Sequence, residues 1–212
     1  MKNYSIWKDN IELPNYKKLN NNMEVDVLII GGGMSGINTL YQLKNTNLKT
    51  ILLEQNKIGM GVTANTTGKI TYLQDSLYEK ISKNFGMEIA SEYLNSQISA
   101  IEIILEIIKK ENIKCDLIKA PSYVFSTTTE ENKKLRKLKQ FLINNNIKII
   151  EKDIKLIKYK SIIGVEDTYL FHPLKYIKGL LNVIDKNIIY ENTSITKIDK
   201  YEKGYISLSS SC

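Results

Sequence analysis

DVLIIGGGMSG, residues 26–36, is the stretch that decides the fold of this chain. Four consecutive apolar residues lead directly into glycines 31, 33 and 36, which have the spacing G-x-G-x-x-G. Three glycines at this spacing are a weak signal alone, but directly after an apolar strand they are typical of a dinucleotide-binding turn.

The residues that follow support this interpretation. Apolar positions after Gly36 continue as one face of a helix, and a second apolar strand, residues 50–53, ends on Glu54. The acid lies close to the distance from the third glycine that is expected for a ribose-binding carboxylate. Strand, turn, helix, strand and acid therefore predict a β-α-β unit that binds a dinucleotide. The alternative is a β-α-β unit whose glycines serve turns only.

Each residue of the turn has a specific predicted role. Gly31 allows a sharp turn, Gly33 lets the backbone approach a pyrophosphate closely, and Gly36 lets the helix pack tightly on the strand. The helix that begins near Met34 would offer free N–H groups to the phosphates. Glu54 would accept hydrogen bonds from ribose hydroxyls and repel a 2′-phosphate, which favours FAD or NAD over NADP.

The second notable segment is KIGMGVTANTTGKIT, residues 57–71, which is rich in glycine and threonine. Such a composition predicts a loop outside the core whose hydroxyls and backbone contact a polar ligand. The alternative is an ordinary surface connection.

The bulk composition excludes several classes of protein. The chain has 212 residues, a net charge of +7 with its lysines scattered, two cysteines and one histidine. Scattered lysines do not indicate nucleic-acid binding, and neither the cysteines (Cys115, Cys212) nor His172 indicates a metal site or a disulfide framework. Neither a signal peptide nor an apolar run long enough for a membrane span is present, so a cytoplasmic location is predicted.

The rest of the chain alternates between helical and strand patterns. A long helix is predicted between residues 86 and 112, with a core stripe at Ile89, Tyr93, Leu94, Ile98, Ile101, Leu105 and Ile108. Thr128 and Glu131 predict a capping box, and Pro173 predicts the start of another helix. Strands are expected over 115–127, 147–158, 162–171 and 187–190, and a hairpin around Lys203–Gly204.

Four segments of the chain resemble a known family. They are DVLIIGGGMSGINTLYQL, ILLEQNKIGMGVTANTTGKIT, LFHPLKYIKGLL and IIYENTSITKI. In this order they are similar to FAD-dependent oxidoreductases of the D-amino-acid-oxidase (DAO) type, and most similar to the bacterial branch often fused to a C-terminal Rieske domain. The resemblance covers the chain from about Ser5 to Leu208.

The resemblance implies FAD as the cofactor. It implies that the glycine turn holds the pyrophosphate, that Glu54 holds the adenosine ribose, and that the backbone at Ile195 meets the adenine. The segment between residues 61 and 69 would pass the pyrophosphate and the flavin. The implied cofactor-binding residues are Gly31, Gly33, Met34, Ser35, Gly36, Glu54, Gly61, Thr63, Asn65, Thr66, Thr67, Gly68, Lys69 and Ile195. No catalytic residue is assigned; Tyr123 and Lys69 are candidates by position only, and His172 is expected to cap a helix.

The implied fold is α/β: a Rossmann-like FAD-binding domain of the GR2/DAO type with an inserted α+β substrate domain, incomplete at its C-terminus. The expected domains are an N-terminal leader (1–23), a partial FAD-binding domain (24–75 and 172–212) and a partial substrate or cap domain (76–171). Family members continue well past this point, so the sequence is expected to be a fragment. The Rieske ligand pattern is absent from it.

The implied function is oxidation of an amine or amino-acid C–N bond by hydride transfer to flavin, with a Rieske 2Fe–2S domain as a redox partner. Two alternatives stay open. One is an inactive, truncated module that binds FAD or ADP, and the other is an NAD-dependent reductase. The sequence does not identify the substrate, the electron acceptor or the oligomeric state.

Overall fold

The computed structural model describes residues 4–152, 154–155, 157–201 and 204–210. Within them lie the helices α1 (Met34–Leu43), α2 (Leu77–Phe85), α3 (Met87–Lys110), α4 (Thr129–Asn144) and α5 (Pro173–Leu181). The strands are β1 (Val27–Ile30), β2 (Thr50–Leu53), β3 (Lys69–Ile70), β4 (Ile118–Lys119), β5 (Ser122–Ser126), β6 (Ser161–Val165), β7 (Tyr169–Leu170), β8 (Ile189–Tyr190), β9 (Ser194–Tyr201) and β10 (Gly204–Ser210).

The chain forms two compact units, each built from separate stretches. Unit 1 comprises Met1–Thr67, Ile108–Cys115 and His172–Cys212, and unit 2 comprises Gly68–Ile107 and Asp116–Phe171. These bounds differ from the domain limits expected from the sequence, and the functional assignment of those domains stays a prediction.

Unit 1 contains a parallel sheet with the strand order β1-β2-β8. Leu28 pairs with Ile51, and Leu52 pairs with Ile189. Helix α1 connects β1 to β2, which confirms the predicted β-α-β unit. Its buried residues, among them Ile37 and Leu40, share the core of the unit with buried residues of α5. The sheet thus brings the ends of β1, β2 and β8 to one edge, where the glycine turn begins.

Helix α5 begins as predicted at Pro173. His172 is its N-cap, and its Nδ1 accepts a hydrogen bond of 3.3 Å from the Lys175 N–H. The predicted capping role of His172 is therefore confirmed. Strands β9 and β10 pair in an antiparallel hairpin, also as predicted. Lys203 in its turn, like Cys212, lies outside the described residues.

Unit 2 combines α2, α4 and most of α3 with two small antiparallel sheets, β3-β7-β4 and β5-β6. The ring of Tyr78 stacks on Phe141 with 4.9 Å between centroids. Helix α4 begins with the predicted capping box between Thr128 and Glu131. In α3, Leu94 and Ile101 of the predicted stripe are buried, but Ile89, in the first turn of the helix, is 44% exposed.

Two strand predictions in unit 2 were wrong in part. In the described part of residues 147–158, the structure has one isolated bridge, between Ile150 and Gly164, instead of a strand. The sequence of residues 147–158 alternates apolar residues with lysines, a pattern that predicts a half-buried strand. In the structure, however, Ile157 is 39% exposed. The predicted strand 162–171 is divided into β6 and β7, because Asp167 turns the chain with a φ of +58°.

Candidate nucleotide-binding site

The turn after β1 depends on glycine at two positions. Gly31 has a φ of +100°, which disfavours side chains, and its N–H donates a 2.8 Å hydrogen bond to the Leu53 carbonyl oxygen. A Cβ on Gly36 would lie 1.9 Å from the Gly31 carbonyl oxygen and 3.3 Å from Ile29 Cγ2. The roles predicted for the first and third glycines, a sharp turn and close packing of helix on strand, are confirmed.

Gly32, between the patterned glycines, was missed by the sequence analysis. A Cβ there would lie 2.2 Å from Ile58 Cδ1, and the Gly32 carbonyl oxygen accepts a 2.9 Å hydrogen bond from the Gly59 N–H. The segment after β2 therefore packs directly against the turn. The available signal was the run of three consecutive glycines, of which the motif uses only two.

The N-terminus of α1 presents backbone donors. Gly33 is its N-cap and provides no side-chain cap, and the Met34 N–H donates 2.9 Å to Thr63 Oγ1. Among the residues that the structure describes, the N–H groups of Ser35 and Gly36 have no hydrogen-bond acceptor. Such N–H groups, together with the positive end of the helix dipole, form an anion-binding site.

Glu54 lies beside these donors at the end of β2. Its Oε2 accepts a 2.7 Å hydrogen bond from the Gly32 N–H, and its Oε1 accepts a 2.8 Å bond from the Asn56 N–H. Its backbone joins β8, because the Glu54 N–H donates 2.9 Å to the Tyr190 carbonyl oxygen. The structure thus places the half-buried Glu54 carboxylate next to the glycine turn, and its ribose-binding role stays a prediction.

The segment after Glu54 is more buried than its composition predicted. Residues 62–65 form a short 3-10 helix, in which Thr63 and Ala64 are buried. The expectation that this loop lies outside the core was wrong at these positions, because Thr63 packs beside Gly33 and binds α1. Gly61 is exposed, and a Cβ on it would have no atom within 4 Å. The Asn65 Nδ2 donates 2.8 Å to the Gly61 carbonyl oxygen.

The remaining predicted residues occupy different environments. Thr67 is exposed, and the Thr66 carbonyl oxygen accepts a 2.6 Å hydrogen bond from Trp7 Nε1. Ile195 in β9 packs against the buried cluster of Ile51, Leu53 and Tyr190 at the end of the unit 1 sheet.

Gly68, Lys69 and Tyr123 belong to unit 2. Gly68 has a φ of +67° and accepts a 3.0 Å hydrogen bond from the Phe171 N–H, and Lys69 is exposed in β3. The Tyr123 ring would lie 2.5 Å from a Cβ on Gly164, so it fills the space above that glycine. Tyr123 therefore has a packing role within unit 2.

Sequence reasoning also missed Glu191, the residue directly after β8. Its side chain is 2% exposed, and its carboxylate accepts hydrogen bonds from Lys57 Nζ at 2.7 Å and from the N–H groups of Ile58 at 2.9 Å and Tyr16 at 3.2 Å. Burial and the Glu191 charge raise the pKa of Tyr16 to about 12. The only available signal was an acid directly after an apolar strand.

The described residues contain neither a metal cluster nor a membrane-spanning helix. In the described ranges, no group of three or more His, Cys, Asp or Glu side chains is arranged to hold a metal ion. No helix there has the length and apolar character needed to cross a membrane. Two cavities of about 360 and 350 Å³ lie within unit 2, one between α4 and β6 and the other between α2 and α4.

Known proteins resemble the chain in sequence. YhfW of Bacillus subtilis (strain 168), named as a candidate Rieske 2Fe-2S iron–sulfur protein, is 31% identical over 203 residues, covering 94% of this chain and 40% of that protein. Gamma-glutamylputrescine oxidoreductase of Escherichia coli (strain K12) is 25% identical over 194 residues, covering 86% of this chain and 45% of that protein.

A solved structure confirms the fold. L-alpha-glycerophosphate oxidase from Mycoplasma pneumoniae with FAD bound superposes with a TM-score of 0.67 at 24% identity, covering 88% of this chain and 50% of that one. The chain therefore spans half or less of the length of these proteins. The family model described as FAD dependent oxidoreductase, DAO, matches residues 26–209. The chain belongs to the DAO family of FAD-dependent oxidoreductases.

Proposed function

We propose that unit 1 binds the ADP half of FAD at the N-terminus of α1. The observation that carries this proposal is the pair of N–H groups on Ser35 and Gly36, which have no acceptor among the described residues and lie at the positive end of α1. They would bind the pyrophosphate, together with the backbone at Gly31, Gly33 and Met34. Two phosphate charges match the donors and the helix dipole.

The other residues fit the rest of the cofactor. Glu54 would accept hydrogen bonds from the adenosine ribose, and its charge disfavours a 2′-phosphate. The backbone at Ile195 would meet the adenine. Open space lies next to Gly31 and Gly61, where an added Cβ would meet no atom within 4 Å. Such space allows a ligand to approach the backbone.

The segment between residues 61 and 69 would follow the pyrophosphate toward the flavin. The Thr63 side chain is buried and accepts a hydrogen bond from the Met34 N–H, which attaches this segment to α1. The residues on either side of Thr63 are thereby held close to the N-terminus of α1. The residues proposed here are Gly61, Thr63, Asn65, Thr66, Thr67, Gly68 and Lys69.

We further propose that the whole protein oxidises a C–N bond of an amine or amino acid. Bound FAD supplies the hydride acceptor for such a reaction. The residues of this chain bind and orient the cofactor, and none of them is assigned as an acid or base. Support for the substrate class comes from the family and from the relative named gamma-glutamylputrescine oxidoreductase. Similarity to a glycerophosphate oxidase makes a phosphorylated alcohol the second candidate substrate.

A Rieske 2Fe–2S domain is the proposed redox partner. The supporting observation is the 31% identity to YhfW, which is named as a candidate Rieske protein. Such a domain would accept electrons from reduced flavin. Loss of flavin reoxidation when the Rieske domain is removed from the whole protein is the expected result. Reoxidation at an unchanged rate would contradict this partner.

Cofactor titration tests the proposed function. The purified chain is titrated with FAD, NAD, NADP and ADP, and binding is followed by flavin absorbance and thermal stability. We expect saturable FAD binding and ADP binding at the same site. Stabilisation by NAD but not FAD would instead indicate a reductase, and binding of ADP without FAD would indicate a nucleotide-binding module. Bleaching of the flavin by amines or amino acids, but not by glycerol 3-phosphate, is expected for the loaded whole protein.

A further inference from the structure

The N-terminal segment of residues 5–19, which the sequence analysis treated as part of a leader, contacts the predicted cofactor loop, residues 57–66. We call residues 5–19 the strap. Apart from a short 3-10 helix at Ile6–Lys8, it has no regular secondary structure. Both segments belong to unit 1. The contacts between them begin at one end of the loop and reach the other.

At the first end, Trp7 holds the loop near its C-terminal limit. Its Nε1 donates a 2.6 Å hydrogen bond to the Thr66 carbonyl oxygen. Its ring meets the His172 ring edge-on, with 5.2 Å between centroids. Since His172 caps the well-buried helix α5, the Trp7 ring rests on a fixed support. The Trp7 indole therefore packs on His172 and binds the Thr66 carbonyl oxygen through its N–H.

Closer to the start of the loop, the strap packs against Gly59, where the chain turns. Gly59 has a φ of +72°, and a Cβ on it would lie 3.2 Å from Leu13 Cδ1. Two residues earlier, at the start of the loop, Lys57 Nζ donates 2.9 Å to Asn15 Oδ1. The strap thus contacts the loop near both of its ends, while Val62 between them is 87% exposed.

At the second end, Glu191 joins the strap and the loop through one buried carboxylate. It accepts hydrogen bonds from Tyr16 in the strap and from Lys57 and Ile58 in the loop. Backbone bonds reinforce this junction: the Glu191 N–H donates 3.2 Å to the Lys17 carbonyl oxygen. Because Ile58 Cδ1 packs against Gly32, the junction also supports the glycine turn.

These contacts lie on the loop whose Thr63 binds the N-terminus of α1. A loop that covers a ligand controls how fast that ligand leaves, because release requires the loop to open. We propose that the strap holds the cofactor loop closed over bound FAD, with Trp7 and Glu191 as positioning residues at its two ends. This inference rests on the proposed function.

The position of Trp7 predicts which part of the cofactor it affects. Thr66 lies toward the end of the loop that is proposed to reach the flavin, whereas Glu54 and the glycine turn are proposed to hold the ADP half. Trp7→Phe keeps an aromatic ring but removes the N–H that binds Thr66. FAD should then dissociate about tenfold faster, the equivalent of one net hydrogen bond, whereas ADP affinity should change less than about twofold.

Tyr16→Phe is the matched control. Tyr16 is a buried aromatic residue of the same strap. Its hydroxyl has no hydrogen-bond partner among the residues that the structure describes, and its link to Glu191 runs through the backbone N–H. We expect FAD dissociation at the wild-type rate. Glu191→Gln provides a second test, because it acts at the glycine turn and should weaken FAD and ADP together.

The experiment measures FAD dissociation rates, ADP affinities and amide hydrogen exchange of residues 57–66 in the four proteins. Faster FAD release and faster loop exchange in Trp7→Phe, with unchanged ADP affinity, would support the strap. An unchanged FAD dissociation rate in Trp7→Phe would overturn the proposal. Equal losses of FAD and ADP affinity in Trp7→Phe would also overturn it, since they indicate general destabilisation. Failure of the wild-type protein to bind FAD would overturn the proposed function and the strap's retention role with it.

Discussion

Gly36 approaches Gly31 so closely that a Cβ on Gly36 would lie 1.9 Å from the Gly31 carbonyl oxygen. The obstacle is backbone within the turn, so it cannot rotate away as a side chain could. Gly36→Ala should lower the free energy of unfolding by about 1–3 kcal/mol and weaken FAD binding, because α1 must move away from β1. Urea denaturation and FAD titration measure both effects.

The matched control for Gly36→Ala is Gly61→Ala. A Cβ on Gly61 would meet no atom within 4 Å, so alanine should lower the free energy of unfolding less at Gly61 than at Gly36. FAD affinity should still fall, because the added methyl group enters the space proposed for the cofactor. Equal stability losses in the two variants would contradict this account of the turn.

The Glu54 carboxylate provides the second prediction. Glu54→Gln replaces one carboxylate oxygen with an NH2 group, which cannot accept from the N–H of Gly32 or Asn56. The variant also loses the negative charge that is proposed to accept hydrogen bonds from the adenosine ribose. Because hydrogen bonds to a charged group are among the stronger ones, the dissociation constant of FAD should rise about tenfold. Isothermal titration calorimetry measures it. Gln55→Ala, at the exposed neighbouring position, should leave the constant unchanged, and the same rise in both variants would refute the ribose role.

The capping box of α4 provides the third prediction. Thr128 Oγ1 accepts a 3.2 Å hydrogen bond from the Glu131 N–H at the start of the helix. Thr128→Ala leaves that N–H without its cap and should cost about 1 kcal/mol of unfolding free energy. Thr129→Ala, one residue later and exposed, should cost less than about 0.5 kcal/mol. Thermal or urea unfolding compares them, and a larger loss in the Thr129 variant would be inconsistent with the capping geometry.

Acid stability provides the fourth prediction. Hydrogen bonds from Lys137 and Lys83 lower the pKa of Glu79 from 4.5 to about 2. A carboxylate with a lowered folded-state pKa stabilises the protein above its unfolded-state pKa, and this contribution is lost as the pH falls from about 4.5 to about 2. The side chain is partly exposed, so solvent reduces the effect.

Glu79→Gln should therefore make the unfolding free energy less dependent on pH in that window, as measured by urea titrations at successive pH values. Glu92→Gln, an exposed position on α3, is the control and should retain the wild-type slope. A wild-type slope in Glu79→Gln would show that the two lysines do not stabilise the carboxylate.

The parts of the fold that sequence analysis predicted correctly have local causes. Gly31 and Gly36, the Thr128–Glu131 box and the His172–Pro173 helix start each act within a few residues, so residue type and spacing define them. The prediction of a strand over residues 147–158 was wrong. Alternating apolar and polar residues indicate burial of one face, but a strand also needs a neighbouring strand with which to pair. In the described residues, only Ile150 bridges to Gly164 there.

The strap could not be predicted for a different reason. Tyr16 and Glu191 are separated by 175 positions, and a single sequence contains no record of such a pairing. A buried carboxylate looks the same in sequence as an exposed one, since burial is decided by the chain that packs over it. Gly32 is an intermediate case. The sequence shows a glycine at this position, but it does not show that Ile58 packs against it.

The division of unit 1 into three stretches also has a consequence for synthesis on the ribosome. Strand β2 ends at Leu53, but its parallel neighbour β8 begins only at Ile189. The edge of β2 that pairs with β8 therefore stays unpaired in the nascent chain while all of unit 2 is translated. Distant parallel pairings form slowly and leave such edges exposed to wrong partners. Chaperone dependence during translation is thus expected to be greatest before residue 189 emerges.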